Sequence, residues 1–169
     1  MKTEPVATKL TTPAKVSKPS LIAIKKILVP TDFSGASHKA LEYAAHFAKS
    51  LRAELIFVHV LESPSNLPFE SLPTACAEEL KANCEENLAA TVRAARTAGV
   101  SEARPIVRTG AATHEILEAA KELEVDLIVI GTHGLAGWEH FTIGSTAERV
   151  ARAAFCPVLI VREKQHDFI

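Results

Sequence analysis

Two short runs carry the residue types and spacing that binding chemistry on a small ligand would use. The first is Gly131-Thr132-His133-Gly134, followed after nine residues by Gly144-Ser145-Thr146, and the second is Pro30-Thr31-Asp32-Phe33-Ser34. Glycines at 131 and 134 permit positive φ and let the main chain approach a ligand where a Cβ would collide. Gly144-Ser145-Thr146 stands where a helix opens, so free N–H groups and the positive end of the dipole favour a phosphate, and the two hydroxyls add donors. The same residues have a plainer reading. Gly131 then only ends a strand, and Ser145-x-x-Glu148 is a capping box that needs no ligand. The combination of glycine-rich loop, helix start and preceding buried strand favours a cradle for nucleotide phosphates. GxxxxGK[ST] is absent and no GxGxxG follows the first strand, so neither a Walker-type NTPase nor a dinucleotide Rossmann enzyme is supported.

The elements that must hold these runs are legible from periodicity. Lys26–Pro30 reads as a short buried strand that stops at Pro30, which cannot donate to a ladder. Leu41, Ala44, Ala45, Ala48 and Leu51 recur at helical spacing from about Ser37, with Asp32 or Ser34 as the N-cap. Leu55–Val60 has the continuous aliphatic character of a strand covered on both faces, which implies parallel pairing. A proline-containing loop leads to a long helix through Leu80, Cys84, Leu88, Val92 and Ala95, with Gly99 at its left-handed end. Arg104–Arg108 is a modest strand, Ile116, Leu117, Ala120 and Leu123 mark a third helix, and Asp126–Ile130 is another buried strand. Ala147, Val150, Ala151 and Ala154 form a last stripe before the strand Pro157–Arg162. Five strands alternating with four helices build a single open parallel sheet with helices on both faces, wound right-handedly. In such sheets ligands bind outside the carboxyl ends of the strands, where both runs fall.

Composition agrees. The 169 residues suit one domain, and 47% hydrophobic with 23% charged residues is globular. Aromatics are only 5%, so Ala, Val, Ile and Leu must fill the core, as in an Ala-rich α/β layer structure. Six Lys and one Glu fall within residues 1–26, which makes the tail +5 and the remainder −6 of a chain whose net charge is −1. Residues 1–23 are expected to be a flexible basic extension, 24–165 the folded domain and 166–169 a C-terminal tail. The acidic body argues against a nucleic-acid surface, because phosphate contacts need clustered Lys and Arg. No aliphatic run approaches the roughly 20 residues of a membrane span, and no secretory h-region stands at the start, so a cytoplasmic protein is expected. Cys76, Cys84 and Cys156 include no CxxC pair and are read as reduced and mostly structural.

KKILVPTDFS at 25–34, IFVHV at 56–60, the spacing Gly131-x2-Gly134-x9-Gly144-Ser145 and CPVLIVR at 156–162 resemble the universal stress protein family, in its ATP-binding branch. The resemblance covers about residues 24–163, and the glycine spacing is its specific part. It implies a Rossmann-like sheet of the adenine-nucleotide α-hydrolase type and a homodimer tied to survival under stress. Carried over residue by residue, Pro30, Asp32 and Val60 border the adenosine, and Gly131, Gly134, Gly144, Ser145 and Thr146 hold ribose and phosphates. Thr31 and Ile130 complete the set. The tail before Lys25 departs from the compact family pattern.

Electrostatics orients the ligand the same way. A triphosphate repels a carboxylate, so Asp32 should meet a hydroxyl or amine of the nucleoside, if it does not simply cap a helix. Val60 would act through its backbone. His59 reads as a hydrogen-bonded core residue rather than a base, and His133 and His140 as solvated loop residues or phosphate contacts. Trp138 covers the loop or packs at an interface. The expected function is an ATP-binding stress or signalling module with little or no hydrolysis. The alternatives are a slow ATPase or nucleotidyl-transferring enzyme, with Mg²⁺ held by phosphates and Asp32, and a nucleotide-free dimeric scaffold. The last strand, Pro157–Arg162, is expected to pair with its copy in a dimer, because Val158–Val161 is an apolar edge without a blocking charge or proline.

Overall fold

The apolar runs become strands because β-branched and aliphatic residues on both faces are stable only between two layers of helix. The computed structural model describes residues 23–62, 71–132 and 143–164. Their order is β1 (Lys26–Pro30), α1 (Gly35–Leu51), β2 (Glu54–Leu61), α2 (Thr74–Thr97), β3 (Ala103–Thr109), α3 (Ala112–Glu122), β4 (Leu127–Gly131), α4 (Ser145–Ala153) and β5 (Val158–Val161). All strands are parallel, in the spatial order β3-β2-β1-β4-β5. The chain thus builds outward from β1 to β3, then returns to add β4 and β5 on the other side. The alternation expected from sequence is borne out in type and number.

Alternate residues divide the core. Ile27, Val29, Leu55 and Phe57 pack beneath α1 and α2, while Leu28, Ile56, Val58, Ile128 and Ile130 pack against α3 and α4. The expectation of a strand from Arg104 is extended by one residue each way, and α1 starts two residues earlier than its apolar stripe. Gly99 takes the left-handed conformation (φ 97) that ends α2, as its position suggested. Arg52 (φ 56) and Glu124 (φ 51) do the same after α1 and α3, with no glycine to announce it.

At the amino ends of the strands, Asp126 ties two neighbours together. Its Oδ2 accepts the backbone N–H groups of Lys25 at 2.7 Å and Lys26 at 2.9 Å, so the start of β1 is fixed to the start of β4. All three cysteines are free thiols. Burial pushes Cys84 up to about 11, with Glu85 adding to the effect, and burial also raises Cys156. Cys76 is exposed and contributes nothing to the core. Among the described residues no helix is long and apolar enough to cross a membrane.

α1 and β4 meet backbone to backbone. The α1 stripe is Ala40, Leu41, Ala44, Ala45 and Ala48, mostly small side chains that let the helix sit low on the sheet. At Gly131 a Cβ would lie 2.7 Å from the carbonyl carbon of Ala36, 2.8 Å from its oxygen and 2.9 Å from Ser37 N. These are backbone atoms of α1, which cannot swing aside. The positive φ that a glycine at 131 would allow is not used: its φ is not in the left-handed range, and the atoms that exclude a side chain there belong to a helix.

Gly131→Ala should accordingly destabilise the ligand-free protein by about 1–3 kcal/mol, the usual cost of overpacking. Calorimetry should show a fall of roughly 2–4 °C for each kcal/mol. An unchanged melting temperature would mean that α1 does not approach β4 this closely.

Candidate functional site

The site forms where the sheet comes apart. β1 and β4 pair at only two register positions, Ile27 with Leu127 and Leu28 with Ile128, and beyond these the strands diverge. β2 continues past the end of β1. Thr31 N donates to Val58 O at 2.9 Å, so the Val58 carbonyl faces β1. Strand parity points the N–H and C=O of Val60 the same way, into space that β1 no longer fills. A reversal of strand order of this kind is the usual location of a ligand crevice in open α/β sheets.

A cavity of about 380 Å³ occupies that crevice, within the roughly 300–1,000 Å³ of small-molecule sites. Pro30, Thr31, Asp32, Val60, Ile130, Gly131, Gly144, Ser145 and Thr146 all line it, together with Ser37, Val58, His59, Ala112, Ile116, Thr132 and Ala147. Nine of the ten residues singled out from sequence therefore meet at one cavity; the tenth, Gly134, lies outside the described residues, as do His133, Trp138 and His140. The additional lining residues were findable in part. His59 stands beside Val60 at the carboxyl end of β2, and Ala112 opens α3 just after β3, so the strand-end rule covers both positions.

One end of the cavity is built by the turn from β1 into α1. Ser34 is the N-cap of α1, and its Oγ accepts from Ser37 N at 3.3 Å. Asp32, the other capping candidate, braces that cap: its Oδ1 accepts from Ser34 N at 3.1 Å and from Ser34 Oγ at 2.6 Å. Thr31 Oγ1 accepts from Phe33 N at 3.1 Å and lies 3.1 Å from Ser37 Oγ, which donates to Ser34 O at 3.0 Å. Each hydroxyl has one proton, so Thr31 is the donor to Ser37 in the arrangement that satisfies every oxygen. The His59 ring is half-buried, with Nδ1 2.7 Å from Thr31 O, and so is hydrogen-bonded as expected, yet it stands in the cavity wall rather than the core.

The other end is the start of α4. The N-cap is Gly144 and among the described residues no side chain closes the helix end, so the capping-box reading of Ser145 is corrected. Ser145 is the first helical residue, and Glu148 instead pairs with Arg152 at 2.6 Å. Gly144 N donates to Thr132 O at 2.6 Å, and Thr132 N donates to Val161 O at 2.8 Å, which pins this helix end to β4 and β5. By helix geometry the amides of Ser145, Thr146 and Ala147 have no intrahelical acceptor, and they open at the cavity. α3 differs: Ala112 N donates to Glu62 Oε1 at 2.7 Å. Gly144 itself has φ −60 and ψ 149, a conformation open to any residue, so its lack of a side chain is not a demand of the backbone.

The cavity is thus apolar along Pro30, Val58, Val60, Ile116 and Ile130, and rich in N–H and O–H donors at the α4 end. Among the described lining residues, Asp32 and His59 are the ionisable ones. None of the described residues form a group of three metal-ligating side chains.

Such a sheet, with a donor-lined crevice at its switch point, defines the Rossmann-like α/β class. Comparison with known proteins narrows the class. Residues 23–162 match the model of the universal stress protein family. A universal stress protein of Methanocaldococcus jannaschii is 37% identical over 145 residues, covering 85% of each chain. Universal stress protein UspA from Lactobacillus plantarum superposes with a TM-score of 0.75 at 25% identity, over 82% of this chain and 98% of that one. A universal stress protein crystallised in complex with cAMP gives a TM-score of 0.66 at 26% identity, over 84% and 99%. The chain belongs to the universal stress protein family.

Proposed function

We propose that the protein binds ATP in the β1–β4 crevice and works as a stress-response or signalling module with little or no hydrolysis. The observation that carries this reading is the division of the cavity into an apolar end and an end of unclosed helix amides. A purine fits the first and phosphates the second, since α4 presents N–H donors and the positive end of its dipole. The backbone of Val60 offers a donor and an acceptor to the edge of the base, and Asp32 stands on the nucleoside side, away from the phosphates. The relative solved with cAMP binds an adenine nucleotide, which supports the same ligand class here.

Slow turnover follows from charge. Transition-state charge on a transferred phosphoryl group needs Lys, Arg or a metal clamp, and residues 131–144 contain no Lys or Arg. Where Mg²⁺ accompanies ATP, the phosphates carry it. Three free thiols suit a reducing cytoplasm.

The reading includes a homodimer through β5. In the described sheet β5 pairs only with β4, and Val158, Leu159 and Ile160 are half-buried with no charge or proline among them. Phe155, just before the strand, is 59% exposed. A two-fold partner supplying the same strand antiparallel would satisfy both edges and cover this apolar surface.

ATP at 100 times its dissociation constant should stabilise the stripped protein by about 2.7 kcal/mol, a shift of several degrees. Gly144→Val should keep the ligand-free melting temperature, since its φ and ψ suit valine, and weaken ATP at least about tenfold, or roughly 1.4 kcal/mol. No thermal shift in the wild type contradicts the ligand, and an unweakened variant contradicts the phosphate end. Turnover should stay far below about 1 per second, the lower end of ordinary enzymes, and a rate near that value would make the protein an ATPase. Leu159→Lys should give monomers on light scattering; a wild type already monomeric at micromolar concentration, or a dimeric variant, would exclude β5 as the interface.

A further inference from the structure

Phe33 is held in the left-handed region, φ 63, where a bulky side chain is rarely found unless its surroundings enforce it. It neither ends a helix, as Arg52 and Glu124 do, nor fills the core, being 36% exposed. What holds it is a ring stack on His59, with centroids 4.7 Å apart and planes at 27°. Phe33 N also donates to Thr31 Oγ1 at 3.1 Å. His59 is fixed in turn. Its Nδ1 lies 2.7 Å from Thr31 O, and a carbonyl can only accept, so Nδ1 carries the proton. Two rings and two hydrogen bonds therefore grip the residues on either side of Asp32, and Asp32 and His59 line the cavity.

We infer that the Phe33–His59 stack is a positioning clamp that holds Asp32 and the β1–α1 turn against the nucleoside end of the ligand, at the expense of backbone strain in the free protein. This rests on the reading of the cavity as a nucleotide site. Strained backbone that persists beside a ligand cavity is a recurrent sign of pre-organisation, because the ligand then need not order the loop. The clamp acts through Asp32 and the turn; neither Phe33 nor the hydrogen-bonded Nδ1 is assigned a contact with phosphate.

The signature is that stability and affinity separate. Phe33→Gly relieves the positive φ and removes the stack. Calorimetry on ligand-free protein should show a melting temperature unchanged or raised, while titration shows at least a tenfold weaker dissociation constant for both adenosine and ATP. Inorganic tripolyphosphate, which lacks a nucleoside, should bind as it does to wild type. Phe33→Tyr keeps the stack and should restore affinity; His59→Phe keeps a ring but not the Nδ1 donor and should remain weakened. Equal binding of adenosine by wild type and Phe33→Gly overturns the clamp. So does a parallel fall in melting temperature and in affinity for all three ligands, which marks a merely structural contact. Wild-type protein that binds neither adenosine nor ATP overturns the nucleotide reading and the clamp with it, a result distinct from wild type and variant binding alike.

Discussion

The backbone of α1 presses against β4 at Gly131, and the geometry of the crevice follows from that contact. A Cβ at Gly131 would stand 2.7 Å from the Ala36 carbonyl carbon, so no other residue fits without moving the helix. The alanine stripe of α1 allows the helix to lie this low, and Gly131 allows it to do so at the mouth of the crevice. The first turn of α1 and the end of β4 become the two nearest walls of one cavity. Thr31, Asp32 and Ser37 then come from one side of the switch point, and Gly131 and Thr132 from the other.

Around that contact the ends of elements are treated differently according to what they face. α1 is closed by Ser34 with Asp32 behind it, and Glu62 takes the first amide of α3. Among the described residues α4 has no side-chain cap, while Gly144 anchors it by donating to Thr132 O. The early stop of β1 at Pro30 has a matching effect on the strand side, leaving the backbone of Val60 facing the crevice. A proline at that position costs β1 little because the ladder ends there. The ends that stabilise the fold thus also form the cavity wall, and the crevice is a consequence of where pairing stops.

Much of this was legible in the sequence because its signals are local. Apolar runs of β-branched residues mark the strands, Ala-rich spacing marks the helices, and the strand-end rule together with the family resemblance singles out nine residues that meet at one cavity. What was not legible depends on contacts distant in sequence. At Gly131 the pattern alone shows freedom for a ligand to approach, and not that a Cβ there would also meet the backbone of Ala36 and Ser37, nearly a hundred residues earlier. Ser145-x-x-Glu148 matches a capping box in spacing, yet the true N-cap is one residue earlier and Glu148 turns to Arg152. The apolar run around His59 suggests a core residue, although its place at the carboxyl end of β2 is one that the strand-end rule covers. The left-handed turns at Phe33, Arg52 and Glu124 carry no glycine and so gave no sign.

The most direct test of the account is to purify the native protein without added nucleotide, denature it, and identify the released small molecules by mass spectrometry, with a parallel sample first incubated with ATP and desalted. The account predicts an adenine nucleotide in the released fraction, and its retention in the ATP-treated sample. Native protein that releases no adenine compound, and that retains none after exposure to ATP, would contradict the assignment of the β1–β4 crevice as a nucleotide site.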